Sequence, residues 1–463
     1  MVLHLLLTDW LIWLLVLGVL FYVRQVVKNP LSRASWHLVF QSRLASASVI
    51  VLLFAVGITL MDSVHFRVSV KDQARYTSPI VSGLDLALGP LAWQREKSYS
   101  APFALTGLSK EVELVNGKPE RVYPRLKFGG AHLTSAADQS RDLWVRAYKG
   151  LLAGAMVWSL VGMAGWLVRR HASATLQHVS WMSSNPAYRA ALWTLLVMCL
   201  LAGLLWQFAS AYHVFGTDKV GLDVFYSALK SLRTAMLIGL LSTLLTLPLG
   251  ISLGLVAGYF KGWVDDLVQY IYTTLNSIPS VLLIAAAVLI LQVALDNHPD
   301  AFASSIEKGD LRLFFLCLIL GLTSWTGLAR LLRGEVLKMR EQDYVLAARA
   351  CGVSHAKILY RHLLPNLMHL VLIGLVMDFS SLVLAEAVLS YVGVGVDPST
   401  FSYGTMINAA RLELSREPLV WWSLAAAFVF MLSLVLSANL FADAVRDAFD
   451  PRARQLKLSL VRV

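Results

Sequence analysis

Two carboxylates, three histidines and one short basic loop are the residues whose chemistry bears most on this chain. Asp378 and Glu386 lie eight residues apart in a long apolar run, roughly 12 Å of helix rise. Carboxylates in hydrocarbon are costly, so such a pair reads as a proton path, a gate or a structural cap within a helix bundle. Neither has a basic neighbour in sequence that would complete a relay. His355, His362 and His369 recur every seven residues, but no Cys or acid completes a ligand set, and Pro365 is expected to break the helix between the last two. Metal binding is therefore disfavoured. The three cysteines, Cys199, Cys317 and Cys351, fall in segments that do not read as extracellular, which excludes a disulfide framework. There is no Gly-x-x-x-x-Gly-Lys-Ser/Thr loop to cradle a triphosphate, and no Ser/His/Asp or Cys/His set that suggests an enzyme.

The loop is more informative. Tyr344-Val345-Leu346-Ala347-Ala348-Arg349-Ala350-Cys351-Gly352-Val353-Ser354 predicts a short helix stopped at Gly352, where a left-handed residue is tolerated. A second helix is expected through Ile358 to Pro365. Ala347, Ala348 and Ala350 let another surface approach the backbone, with Arg349, Lys357 and Arg361 around them. That is the build of a docking element; an amphipathic helix lying on a membrane is the alternative.

The elements that position these residues cross a membrane. Of 463 residues, 57% are hydrophobic and 15% charged, which does not fit soluble domains. Nine apolar runs long enough for a bilayer core start near Leu3, Leu44, Lys149, Ala190, Ser231, Leu267, Leu311, Leu367 and Leu419. The chain therefore reads as an all-α polytopic membrane protein. The net charge of +11 gathers in short loops and sets orientation rather than binding nucleic acid. Arg24, Lys28, Arg33 and Arg43, then Arg169, Arg170 and Arg189, mark two cytoplasmic loops. The stretch with Asp296, Asp300, Glu307 and Asp310 is expected outside; Arg330 to Arg361 and the tail from Arg446 to Arg462 are expected inside. The first run lacks a basic start and a small-residue cleavage site, so it reads as an uncleaved anchor.

Residues 62–148 form the one long polar stretch, expected as a small external domain. Within it Glu111–Val115 and Glu120–Tyr123 flank Asn116-Gly117, a hairpin signal weakened by Lys118 and Pro119. Pro248 and several glycines break the fifth span, and Pro279 after Asn276-Ser277-Ile278 interrupts the sixth, freeing a carbonyl that could line a pathway. Trp421 and Trp422 read as interfacial anchors.

The spacing of Ala347-Ala348, Gly352 and Leu364-Pro365 resembles the cytoplasmic signature loop of bacterial ABC-importer permeases. Gly216-Thr217-Asp218 with Gly221 and Asp223, Gly254-Leu255-Val256-Ala257-Gly258-Tyr259 and Gly262-Trp263-Val264-Asp265 are similar to the dipeptide and oligopeptide (peptide/nickel) group. So are Ala385-Glu386-Ala387, Leu389-Ser390-Tyr391 with Gly393-Val394-Gly395, and Arg446-Asp447-Ala448-Phe449-Asp450-Pro451-Arg452. Two positions depart: Leu346 stands where the family has Glu, and Leu222 where it has Arg, which leaves Asp223 without its usual neighbour. The family has one span before the Gly-Thr-Asp block and this chain reads as having four.

The resemblance implies a type I ABC-importer transmembrane domain with extra N-terminal helices and a periplasmic insertion, in the bacterial inner membrane. The segments are then 1–61 and 149–212, two spans each; the insertion 62–148; the permease domain 213–454 with coupling loop 332–365; and the tail 455–463. It also implies a second permease in a heterodimer, two ATP-binding subunits carrying ATP and Mg, a periplasmic substrate-binding protein, contact with membrane lipid, and no cofactor or nucleic acid on this chain. Tyr344, Leu346, Ala347, Ala348, Arg349 and Gly352 would couple to the ATPases, and Pro279, Asp378 and Glu386 would serve the pathway or its gate. Short peptides are the expected cargo, with nickel, murein fragments and other peptide-like solutes open. A proton-coupled carrier using Asp378 and Glu386, and a scaffold with an external binding domain, are the alternatives.

Overall fold

The computed structural model describes residues 2–67, 80–115, 118–172, 186–298 and 304–449. In chain order its strands are β1 (Val2–Leu3), β2 (His65–Arg67), β3 (Ile80–Ser82), β4 (Glu111–Val115) and β5 (Lys118–Val122). The helices before the polar loop region end are α1 (Leu7–Lys28), α2 (Pro30–Val39), α3 (Arg43–Asp62), α4 (Gly83–Leu88), α5 (Pro90–Trp93), α6 (Gln139–Ala172) and α7 (Pro186–Ala209). Then come α8 (Val224–Phe260), α9 (Trp263–Ser277), α10 (Ser280–Asp296), α11 (Ser305–Ser324), α12 (Thr326–Met339), α13 (Asp343–Ala350), α14 (His355–Lys357), α15 (Leu364–Val392), α16 (Tyr403–Glu413) and α17 (Trp422–Phe449).

Among the described residues, eight helical stretches are long and apolar enough to cross a membrane, or nine when the bent pair α9 and α10 is one span. Such runs become helices because hydrocarbon offers no partner for a backbone N–H or C=O. The sixth expected span is that pair, bent by 87° at the break that Pro279 occupies. Pro279 caps α10, its carbonyl accepting from the N–H groups of Leu282 and Leu283. Arg169 and Arg170 belong to the last turn of α6 rather than to a loop, because the helix runs on to Ala172. Asn116-Gly117, Asp300 and residues 450–463, including Asp450-Pro451-Arg452, lie outside the described residues.

The chain divides into two units. The first holds residues 1–5, 40–234 and 401–437. In it α6 and α7 pack side by side, with α3 against α7. The strands β1, β2 and β3 form one antiparallel sheet, and β4 pairs with β5. The second hairpin strand starts at Lys118 rather than Glu120, with Pro119 opposite Leu114. A two-stranded ribbon is all edge, where the missing N–H of proline is tolerated.

Buried charge ties the head of α8 into this unit. His213 Nδ1 lies 2.7 Å from Asp223 Oδ2 and its Nε2 lies 3.4 Å from Glu96 Oε1. Asp223 Oδ1 accepts from the N–H groups of Phe225 and Tyr226, capping α8. Glu96 accepts from the N–H groups of Lys127, Phe128 and Gly129. Burial opposes the His213 charge, but hydrogen bonds to the Asp223 and Glu96 carboxylates outweigh it and raise its pKa to about 9. Burial pushes Glu96 up, yet the bonds from His213 and the three amides bring it down to about 2. Asp223 thus finds a cation ten residues upstream, in place of the family's arginine at the position Leu222 occupies.

A second buried cluster lies one and two turns along α8. Lys230 Nζ is 2.8 Å from both Asp62 Oδ1 and Asp85 Oδ1, and Tyr226 donates to Asp85 at 2.7 Å. Burial alone would raise the Asp85 carboxyl; the charge of Lys230 leads the effects that hold it below its usual range. Trp422 is a correction to the interfacial-anchor expectation. It is 3% exposed and its indole N–H donates to the Thr217 carbonyl at 3.0 Å, whereas Trp421 is 52% exposed.

The second unit holds residues 6–39, 235–400 and 438–463. Its backbone contacts are close where Gly250, Gly254 and Gly258 line one face of α8. A Cβ on Gly254 would stand 2.8 Å from the Ala329 carbonyl oxygen, and one on Gly258 2.7 Å from Val336 Cβ. Small residues at this spacing let α8 and α12 pack backbone to backbone. Arg333 of α12 then pairs with Asp265 of α9 through both carboxylate oxygens, at 2.5 and 2.7 Å.

Candidate functional site

The loop helix α13 lies in the second unit, and one side chain seats it. Val345 is fully buried among Leu255 and Tyr259 of α8, Leu332 and Val336 of α12, Ile358 and Leu363 before α15, and Leu367 of α15. Ala348, one turn on, and Val353 pack against the same cluster. That inward stripe leaves Tyr344, Leu346, Ala347 and Arg349 on the exposed side, with Tyr344 39% and Leu346 42% exposed.

The end of α13 is built as the sequence predicts. Gly352 has φ of 74°, its N–H donates to the Arg349 carbonyl at 3.0 Å, and the Val353 N–H donates to the Ala348 carbonyl at 3.1 Å. These are the two bonds of a Schellman cap, and the Val353–Ala348 apolar pair completes it. A Cβ on Gly352 would meet nothing within 4 Å, so the requirement for glycine there is one of backbone conformation alone.

The second helix does not stop at Pro365. After α14, a π-helical turn over Ile358–Leu363 leads directly into α15, with Pro365 in its first turn. The Leu364 N–H donates to the Leu359 carbonyl, an i to i−5 bond, and the wider π turn accommodates the proline ring that follows. His355, His362 and His369 are therefore not separated by a break; they have other partners. His355 Nδ1 is 2.8 Å from the Tyr259 hydroxyl, the His362 carbonyl accepts from Asn366 at 2.9 Å, and His369 Nδ1 is 3.0 Å from the Asn366 carbonyl.

Polar contacts around α13 fix it from both sides. The Asn366 amide reaches the Tyr344 hydroxyl at 3.4 Å. Arg340, just before α13, donates to the Tyr259 carbonyl at the end of α8. Glu341 pairs with Lys261 at 3.1 Å, and the hydrogen bond and charge of Lys261 hold its carboxyl below the usual range. Val345, Tyr259 and Asn366 stand within or beside the sequence motifs, but the sequence alone assigned none of them a role in seating α13. Val345 carried a signal, since it lies three residues before Ala348, the spacing of one helix face.

The other expected site residues are not gathered here. Glu386 is 1% exposed and accepts from the Ser390 hydroxyl at 2.6 Å, while Ser390 also accepts from the Val396 N–H. It thus braces the turn after α15, where Arg312 of α11 donates to the Gly395 carbonyl at 3.2 Å. Asp378 lies two turns earlier on α15, half-buried, with Oδ2 shielded from solvent and without a hydrogen bond. Pro279 marks the α9–α10 break, where Asn276 accepts from the Thr326 hydroxyl of α12 at 3.1 Å. Among the described residues no cluster of His, Cys, Asp or Glu could hold a metal ion.

Residues 250–455 match the family described as the binding-protein-dependent transport system inner membrane component. The chain is 31% identical over 243 residues to the oligopeptide transport system permease protein of Bacillus subtilis, covering 52% of this chain and 73% of the relative. It is 33% identical over 243 residues to the dipeptide transport system permease protein of Lactococcus lactis, covering 52% of this chain and 65% of that relative. A putative peptide permease protein of Brucella suis is 32% identical over 241 residues, covering 52% of this chain and 74% of the relative.

Proposed function

We propose that this chain, which belongs to the dipeptide and oligopeptide family of ABC-importer permeases, is the membrane subunit through which short peptides pass into the cell, with α13 as its coupling helix. It is a multi-pass inner-membrane protein of the binding-protein-dependent transport class. Partner subunits supply the energy: two ATP-binding subunits with ATP and Mg, a second permease that completes the pathway, and an external binding protein that selects and delivers the peptide.

One observation carries this reading. Helix α13 is seated by Val345 and capped at Gly352, yet presents Tyr344, Leu346, Ala347 and Arg349 outward. A cleft on an ATP-binding subunit would take that face, with Leu346 inserting as an apolar plug where relatives carry a carboxylate and Arg349 available to an acid on the partner. When two ATPases close, α13 moves with them. Val345 belongs to one apolar cluster with residues of α8, α12 and α15, so the displacement is passed through that cluster to three helices as a rigid-body change between two arrangements.

Residues 1–61 and 149–212 act in this reading as added spans, and 62–148 as an external insertion that holds the head of α8 through Glu96. Purification of the tagged chain from its native membrane, followed by mass spectrometry and an ATPase assay, tests the proposal. ATP-binding subunits and a second permease should be recovered, with ATPase activity stimulated by a peptide-loaded binding protein. A chain that elutes alone and supports proton-driven uptake abolished by Asp378→Asn would refute it.

A further inference from the structure

The short helix α2 follows α1 after a single residue and carries an arrangement that peptide transport does not use. Trp36 holds it in place, stacking on Phe441 at 6.4 Å, meeting Phe449 edge-on at 5.6 Å and donating its indole N–H to the Tyr22 hydroxyl at 3.3 Å. Between the last turn of α1 and α2 lies an open cavity of about 580 Å³. Lys28, Arg33 and His37 line it together with Val27, Ala34 and Leu38, and no acidic side chain contributes.

We propose that this cavity binds the phosphodiester headgroup of an anionic membrane phospholipid, with the acyl chains lying along α1. Three features fit that ligand and no other part of the bilayer. The lining cations answer a phosphate, and Arg33 offers it a planar fork of donors. The cavity opens beside a span whose Leu14, Leu17 and Phe21 are 62%, 67% and 64% exposed on one helix face, an apolar track that leads to Lys28 at the basic mouth. Arg24, Lys28, Arg33 and Arg43, with no acid between them, place the mouth at the leaflet surface where basic residues collect. A soluble phosphate would use the cations but not the track.

Native mass spectrometry of the full-length protein, purified with its partners and supplied with phosphatidylglycerol or phosphatidylcholine, tests the site. The wild type should retain phosphatidylglycerol in preference, and Lys28→Gln/Arg33→Gln should lose one such lipid, its apparent affinity falling about tenfold or more. The charge-keeping Lys28→Arg/Arg33→Lys should retain it, which separates loss of charge from loss of fold. Equal retention by wild type and the glutamine variant would overturn the proposal. So would displacement of the lipid by inorganic phosphate, which would mark a soluble-anion site instead.

Discussion

His213 and Val345 are both almost fully buried, at 4% and 0% exposure, yet one is held by charge and the other by apolar contact alone. His213 sits between two carboxylates, and each acid has further bonds to backbone N–H groups. Val345 sits among leucines, isoleucine and a tyrosine, and the polar groups of its helix point elsewhere. A satisfied network of charges specifies one geometry and resists displacement. An apolar seat under a short helix lets the helix be pulled as a unit while its outer face stays free. The first arrangement suits the fixed entrance of α8, and the second suits the movement that the proposed coupling role of α13 requires.

That contrast makes distinct demands on mutation. The largest effect should come from His213→Ala, which leaves Glu96 and Asp223 buried without their cation and should cost about 3–5 kcal/mol, read as a fall in melting temperature of the purified protein. Val345→Ala removes two methyl groups from a closed cluster and should cost about 2 kcal/mol, while uncoupling ATP hydrolysis from peptide uptake in reconstituted vesicles. Gly352→Ala forces a Cβ into the left-handed region and should cost about 1–2 kcal/mol, with a further loss of transport because the Schellman cap loosens. Gly352→Trp should abolish transport while leaving the protein in the membrane. Leu346→Lys, on the exposed side and opposite in charge to the family's Glu, should change stability by less than about 0.5 kcal/mol and still remove ATPase co-purification. If Leu346→Lys proved as destabilising as Val345→Ala, the division of α13 into a seated and a free face would fail.

Acidity sharpens the same comparison. The folded pKa of His213, about 9, lies above the ordinary 6.5, so its contribution is full below about 6.5 and is lost as pH rises through about 9. Glu96, lowered from 4.5 to about 2, contributes above about 4.5 and loses that contribution as pH falls through about 2. Melting temperature measured against pH should therefore decline between about 6.5 and 9, and His213→Gln should flatten that decline. A wild-type profile that is level across this interval would refute the charged state assigned to His213.

Much of this was legible in the chain itself, for reasons that differ by residue. Gly352 announced the end of α13 because a left-handed residue after a run of helix formers has few other causes. The broken sixth span was visible in Pro279, and the added spans in apolar length alone. The continuation of α15 past Pro365 was not visible, because a proline reads the same whether it stops a helix or opens one; the π turn before it decides. His213 was not legible either, since one partner lies ten residues downstream and the other 117 upstream. Val345 stood among other apolar residues, and only packing shows which of them faces inward. Leu346 and Val345 differ little as side chains and occupy opposite roles.

The most direct test of α13 as a docking surface uses a thiol the chain already has. Cys351 is exposed at the end of α13, whereas Cys199 and Cys317 are buried, so a maleimide reports on this one position. Labelling should be fast on the chain purified alone, slow in the complex with ATP-binding subunits, and fast again when Leu346→Lys prevents their binding. Equal labelling rates with and without those subunits would contradict the account.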